Sequence, residues 1–444
     1  MDYEAFIRNK AQFRHEAGFD PDNLPDFLYD FQKYLVEWAC RKGRSAIFAD
    51  CGMGKTAMQL AFAQQVVERE NKPVLIMAPL AVVPQTIEEG ERFGIEVTRD
   101  GGSASIHITN YQRLDKLDPT KYCGVVCDES SILKSYSGST RTAIIEFMRP
   151  ARYRLLCSAT PSPNDFMELG NSVEALGLMR RVEMLATYFV HDGGETSKWR
   201  LRGHAGDPFW AFVASWARAL RTPADVGFDS SRFVLPNLAI QSHVLESTPM
   251  DGFLFAMKAM TLEQQRAERR ATMDERCEKV AAIANDTDEP FIAWCSLNDE
   301  SKMLTSQIRG AIEVAGSMSD EEKEDAFTSF RKGYVRALVT KPSMAAFGMN
   351  WQHCNQMSFF PSHSHEQFYQ AVRRCWRFGQ KRDVIAHVVT TEAEEQIVSN
   401  LRRKEKQSVE LFEKIVANMA NHYKSETDIY NATKKVEAPQ WLTV

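Results

Sequence analysis

Residues 45–56 constrain the fold most. The run Ser-Ala-Ile-Phe-Ala at 45–49 is apolar enough for a buried strand, and 56–70 has the mixed pattern of a helix. The strand's last residue, the loop and the helix start are Ala49, Asp50, Cys51, Gly52, Met53, Gly54, Lys55 and Thr56. A glycine-rich loop between strand and helix turns backbone N–H groups inward around an anion, and the helix N-terminus adds a favourable dipole. A lysine placed to reach the β- and γ-phosphates and a hydroxyl placed to ligate Mg²⁺ complete a phosphate-binding loop. The spacing therefore predicts a nucleoside triphosphate site with Lys55 on the phosphates and Thr56 on Mg²⁺. A chance glycine turn is the plain alternative, and the strand–loop–helix context disfavours it.

The surrounding pattern extends this into an architecture. Apolar runs at 74–78, 105–109, 124–127 and 154–157 follow the first strand, and a second series occupies 291–295, 312–315, 336–340, 356–360 and 383–389. Helical stretches such as 320–331 separate them. Continuous apolar strands alternating with helices indicate parallel sheets covered on both faces. The expected fold is α/β: two tandem parallel-sheet lobes around a mainly helical, divergent middle region. The boundaries read as 1–176, 177–288 and 289–425, with a tail at 426–444.

Two strand ends carry chemistry. Asp128 and Glu129 end the 124–127 run, where parallel sheets line their ligand crevice. Asp128 is placed to hold Mg²⁺ and Glu129 to orient or deprotonate the attacking water. Ser158, Ala159, Thr160 and Pro161 follow the 154–157 run. They read either as a hydroxyl turn ended by proline or as a relay sensing the γ-phosphate. Farther on, Arg374 and Arg377 stand three apart on a predicted helix and so point the same way. Such a pair suits charge stabilisation on a transferring phosphoryl group. A solvated basic face is the bland reading.

These elements resemble helicase superfamily two, and more closely its Swi/Snf-type branch. The loop beginning at Ala49 resembles that superfamily's first motif. Residues 128–134 resemble the branch's second motif, and 158–161 with Asn164, Glu168 and Leu169 its third. Thr109, Asn110 and Tyr111 resemble the Ib region, and Gly348 to Asn350 the GxN motif. Gln370, Arg374, Arg377, Gly379 and Gln380 resemble the sixth motif. Gln32 resembles the glutamine that reads adenine. Ser131 and Trp376 depart from the pattern, each replacing a histidine. The resemblance implies RecA-like lobes. It also implies ATP and Mg²⁺ as cofactors, with ATP contacts from residues 49–56, Gln32, Gly348, Asn350 and Gln370, and a coupling role for 158–161.

A formal charge of −5, from 54 basic and 59 acidic residues, excludes a protein that holds nucleic acid through its global field. Any such contact must be a local basic track. Residues 196–221 carry five basic residues and one acidic, interleaved with aromatics. The aromatics read best as a helix's core face, while Lys198, Arg200 and Arg202 remain candidates for phosphate contact. The resemblance implies further DNA contacts at Thr109, Tyr111 and Lys341. Nine cysteines, odd in number and without a CxxC pair, fit buried thiols in a reducing compartment. A zinc site using Cys123 and Cys127 is the lesser alternative. No run reaches 18 apolar residues and positions 1–10 are polar, so neither a membrane span nor a signal peptide is expected. The resulting expectation is a monomeric, cytoplasmic, ATP-driven motor on duplex DNA, of a compact kind suited to a bacterial or viral genome. Its rivals are a strand-separating DNA or RNA helicase and a nucleotide-gated scaffold with little turnover.

Overall fold

The apolar runs become the strands of two parallel sheets. The computed structural model describes residues 17–99, 101–134, 138–161, 165–192, 195–203, 205–245, 269–345, 349–360, 365–391, 403, 409–410 and 412–420. They divide into two compact units, Met1–Phe233 with Glu410–Val444, and Val234–Val409.

In the first unit the strands are β1 (Arg44–Ala49), β2 (Val74–Ala78), β3 (Val97–Arg99), β4 (Ile106–Asn110), β5 (Gly124–Asp128), β6 (Tyr153–Ser158), β7 (Phe189–Asp192), β8 (Glu195–Leu201) and β9 (Ala217–Leu220). Helices α1 (Asp30–Lys42), α2 (Lys55–Glu70), α3 (Val83–Phe93), α4 (Ser139–Met148), α5 (Leu169–Leu176), α6 (Arg181–Tyr188) and α7 (Gly206–Trp216) connect them. The sheet order is β3-β4-β2-β5-β6-β1-β9, every neighbour parallel. Ile47, Phe48, Val125, Val126, Leu155 and Leu156 have no exposed surface. Burial of this kind is the main favourable term in folding. Because all strands run the same way, the C-terminal ends of β1, β5 and β6 share one edge.

Val234–Val409 holds β10 (Leu238–Leu245), β11 (Phe291–Trp294), β12 (Ala311–Val314), β13 (Ala337–Thr340), β14 (Gln356–Phe359) and β15 (Val384–Thr391). Its helices are α8 (Met273–Asn285), α9 (Asn298–Gln307), α10 (Asp320–Arg331), α11 (Pro342–Ala345) and α12 (His365–Val372). The order is β10-β15-β14-β11-β13-β12, again all parallel. Helix α10 starts at a capping box: Glu322 N–H donates to Ser319 Oγ at 3.2 Å, and Ser319 N–H to Glu322 Oε2 at 2.7 Å. The fold is therefore the expected pair of RecA-like α/β lobes.

The stretch between the lobes holds helices and also strands. β9 extends the first sheet and β10 the second, so the compact units divide at 233/234 rather than at 176 and 288. Residues 412–420 return to the first unit, where Glu413 pairs with Arg221. Much of the polar stretch at 250–284 lies outside the described residues. On α7, Phe209, Phe212, Val213 and Trp216 are buried, with Trp216 edge-on to Phe48 at 6.1 Å. The aromatics of the middle stretch are thus largely core. All nine cysteines are free, seven buried and Cys51 and Cys123 half-buried.

In the second sheet, β10 and β15 bring two imidazoles together, His243 Nε2 and His387 Nδ1 being 3.1 Å apart. Burial, then His243 and Lys279, push the His387 ring down to about 4, from an ordinary 6.5. The ring therefore binds its proton later in the fold than in the unfolded chain. Between pH 6.5 and about 4 the unfolded chain holds more protons, so stability falls as pH drops through that window and levels off below it. Thermal unfolding midpoints from pH 7.5 to 3.5 should show this decline, and His387→Gln should flatten it. Equal slopes in both proteins would remove the imidazole pair as its cause.

Candidate functional site

Strand β1 delivers its chain into a tight loop before α2. Gly54 occupies the left-handed region at φ 75°, and a Cβ there would lie 2.2 Å from Gln32 Nε2. The backbone conformation favours glycine, and a side chain there would displace the Gln32 carboxamide. Lys55 Nζ donates to the carbonyls of Ala49 (2.8 Å) and Asp50 (3.3 Å), folding back over the loop it follows. Cys51 N–H donates to Asp50 Oδ1 at 2.6 Å, and Asp50 N–H to Leu220 O at 3.0 Å, tying the loop to β9. Gln32 braces it from the other side. Its Nε2 donates to Met53 O and its Oε1 accepts from Tyr29 N–H, both at 2.9 Å. The first turn of α2 contains no acidic residue. Its N-terminus, with Lys55 and Thr56 at the start, is suited to phosphate oxygens.

Asp128 and Glu129 end the neighbouring β5. Asp128 is buried and accepts from Gln59 Nε2 at 2.6 Å. Burial first, and the adjoining Glu129 second, raise its carboxyl to about 6, against smaller lowering effects from Gln59 and Lys55. A buried carboxylate raised in this way is short of positive charge, and an oxygen set of Asp128 and Thr56 fits a hard cation such as Mg²⁺. Glu129 adopts a positive φ of 55°, uncommon for a residue with a side chain. Its Oε1 accepts from Ser131 Oγ and Ser158 Oγ, each at 2.9 Å. Ser158 Oγ in turn accepts from Thr160 N–H at 3.0 Å. Ser131 thus clamps Glu129 together with the 158–161 turn. Sequence reading missed this clamp and the role of Gln59. The signals were Ser131 two residues after Glu129 and Gln59 one helical turn after Lys55.

Two proposed DNA contacts need correction. Thr109 and Tyr111 are buried, and their side chains offer no surface to a strand. Tyr111 Oη instead donates to the carbonyl of Asp128, with Met77 O at 3.3 Å and Cys127 Sγ at 3.4 Å beside it. The hydroxyl draws inward because strand-end carbonyls there need donors. Arg202 is also committed, donating to Phe189 O (3.0 Å) and Ala186 O (2.9 Å) at the end of α6. Arg200 is exposed on β8, and nothing is described of the Lys198 side chain. Beside Arg200, Trp199 pairs across the ribbon with His191, ring centroids 3.7 Å apart.

In the second unit, α12 ends at Val372, so Arg374 and Arg377 lie in the turns beyond it and not on a helix as their spacing suggested. The helix stops because outside donors claim its next carbonyls: Trp351 N–H takes Arg374 O at 3.0 Å, and Gln380 Nε2 lies 3.4 Å from Cys375 O. The two arginines converge all the same, because both donate to Met349 O, at 3.2 and 3.1 Å. Arg374 is buried and also donates to Gln370 O at 2.9 Å, while Arg377 is half-buried. Gln370 is buried, its Oε1 without a protein hydrogen bond. Gln380 is the clip of this loop, donating to Gln352 O and Cys354 O and accepting from Lys381 and Arg382 N–H. Gly379 turns there at φ 92°, with Gln352 2.9 Å from where a Cβ would sit. Trp376 anchors the segment through Nε1 to Pro236 O at 2.7 Å and carries Arg373 over its ring at 4.4 Å. Lys341 Nζ donates to Asn298 Oδ1 at 2.6 Å. Asn350 is half-buried, and Gly348 and Asn164 lie outside the described residues.

Comparison with known proteins gives the same direction. The helicase conserved C-terminal domain family matches residues 273–379. The mouse DNA annealing helicase and endonuclease ZRANB3 is 27% identical over 183 residues, covering 36% of this chain and 17% of the relative. The SWI/SNF-related matrix-associated actin-dependent regulator of chromatin subfamily A-like protein 1 of Xenopus tropicalis is 29% identical over 164 residues, covering 34% of this chain and 17% of the relative. The chain thus spans 17% of the length of these curated relatives. Two parallel RecA-like sheets, a match to the helicase conserved C-terminal domain over residues 273–379, and similarity to these relatives over about a third of the chain thus point the same way.

Proposed function

We propose that this chain is an ATP-hydrolysing motor that moves on, or remodels, double-stranded DNA. One observation carries the reading: Lys55, Asp128, Glu129 and Ser158 gather at a single edge of one parallel sheet, with Glu129 held by two hydroxyls. ATP phosphates are assigned to the backbone of residues 49–56 and to Lys55, with Gln32 toward the base. Gly348, Asn350 and Gln370 complete the assigned nucleotide set. Mg²⁺, held by Thr56 and Asp128, supplies charge neutralisation on the phosphate oxygens when bound. Glu129 orients and deprotonates the attacking water, and Arg374 and Arg377 stabilise charge on the transferring phosphoryl group. The turn 158–161 reports the state of Glu129 to the rest of its lobe.

Support for DNA comes from the relatives, whose names describe a DNA annealing helicase and a chromatin regulator. Arg200, Lys198 and Lys341 are assigned to phosphates, so binding should weaken steeply with salt and depend little on sequence. A monomeric state and a cytoplasmic setting belong to the same proposal. The ribbon β7–β8, with Val190, His191 and Arg200 exposed and His191 paired with Trp199, is the feature that favours strand separation as a second reading.

The test is ATP turnover with duplex DNA, single-stranded DNA and RNA in parallel. Duplex DNA should stimulate most, by about tenfold or more, with the gain lost at high salt. Stimulation by RNA alone would overturn the proposal. Release of a displaced strand in the presence of ATP would select the second reading.

A further inference from the structure

We propose that Gln59 is a positioning residue for the metal. It sets the Asp128 carboxylate in the orientation that receives Mg²⁺, and this rests on the assignment of Asp128 to Mg²⁺ made above. Gln59 sits four residues after Lys55, on the same face of α2. A phosphate-binding residue and a residue touching the metal carboxylate are therefore carried one turn apart on a single rigid helix. The Gln59 side chain is 1% exposed, and its Nε2 lies 2.6 Å from Asp128 Oδ1. Asp128 pairs in register with Cys157 of β6, so the carboxylate that Gln59 holds lies at the shared end of two adjacent strands.

The chemistry of the partner decides what the contact does. A lysine or arginine here would satisfy the carboxylate's charge and compete with a cation. A carboxamide donates one hydrogen bond and brings no net charge, so it fixes the side-chain torsion while the negative charge stays available. An apolar residue would leave the carboxylate free to turn. Residues that orient a ligand from behind are a general requirement of metal sites, and losing one typically costs 10–100-fold in metal affinity. From the opposite side, Tyr111 Oη donates to the Asp128 backbone carbonyl. The main chain of Asp128 is thus pinned independently, and Gln59 acts on the side chain alone.

The experiment uses the full chain with Gln59→Leu, which removes the donor, and Gln59→Asn, which keeps an amide too short to reach. Mn²⁺ binding is followed by electron paramagnetic resonance with a non-hydrolysable ATP analogue present. The Mg²⁺ dependence of DNA-stimulated turnover is measured alongside it. Both variants should bind Mn²⁺ about tenfold more weakly and need about tenfold more Mg²⁺ for half-maximal turnover. Turnover at saturating Mg²⁺ and metal-free affinity for the analogue should stay near wild type. Unchanged Mn²⁺ binding in both variants would overturn the proposal. So would a joint loss of folding and nucleotide binding, which would make Gln59 a packing residue. Asp128→Asn in the same assay separates the underlying assignment: if it binds Mn²⁺ normally, Asp128 is not the metal residue, whatever Gln59 does.

Discussion

Glu129→Gln should lower ATP turnover by about 10³-fold while leaving nucleotide affinity within about twofold of wild type, the range expected when a positioned general base is lost. The geometry makes this a clean substitution. Ser131 and Ser158 both donate to Oε1, and an amide oxygen in that place accepts the same two bonds. The left-handed backbone at φ 55° costs glutamine no more than it costs glutamate. What disappears is the ability to take a proton from water. Single-turnover hydrolysis with excess enzyme, alongside equilibrium binding of a fluorescent nucleotide, measures both quantities. Undiminished hydrolysis would remove Glu129 from the mechanism. A parallel loss of binding would show that the substitution disturbed the phosphate loop instead.

The second large effect concerns stability, and no motif points to it. Glu300 and Arg276 form an ion pair at 3.3 Å with both side chains 1% exposed. Glu300 Oε2 also caps α9, accepting from Ser296 N–H at 2.8 Å and Leu297 N–H at 2.9 Å. Arg276 lies over the Phe360 ring at 5.0 Å and donates to Arg269 O at 2.6 Å. Glu300→Leu leaves a buried guanidinium without its carboxylate and two amides without an acceptor. The expected cost is about 3–5 kcal/mol, the range for breaking a buried pair by removing one partner. In a domain of this size that lowers the unfolding midpoint by on the order of 10 °C. Glu300→Gln, which keeps a cap acceptor, should fall between. Combining Glu300→Leu with Arg276→Leu should recover much of the loss, because the stranded charge goes with its partner. Equal damage from the double variant and the single would show that the cap and the packing, not the charge, carry the effect.

The legibility of this chain differs from residue to residue. Lys55, Thr56, Asp128 and Glu129 were readable because each sits at a strand end or helix start that local pattern predicts. In a parallel sheet, strand ends from distant parts of the sequence share one edge. Arg374 and Arg377 were readable as a pair although the helix assumed for them stops at Val372. Their convergence comes from a shared carbonyl at Met349, which spacing cannot reveal. Thr109 and Tyr111 were misread as surface residues. Which way the Tyr111 hydroxyl turns depends on which neighbouring carbonyls need a donor, as that of Asp128 does. Gln59 passed as an ordinary polar residue, and the bonds made by Ser131 and Gln380 were not foreseen, because no local pattern links Gln59 to a partner 69 positions away or Gln380 to carbonyls 26–28 positions away.

Sequence alone determined the parts of this protein that depend on short-range order: apolar runs that must be buried as strands, a glycine loop between strand and helix, and acidic and hydroxyl residues at strand ends. These follow from local sterics, hydrophobic patterning and the obligation to satisfy backbone groups. Only the tertiary structure decided which polar side chains hold the Asp128 and Glu129 carboxylates, where the helix before the arginines ends, and that β9 and β10 belong to the two sheets rather than to a separate middle domain. Those outcomes depend on hydrogen-bond partners brought together by strand order. Strand order is a property of the whole sheet, set by long-range pairing that no local window of sequence contains.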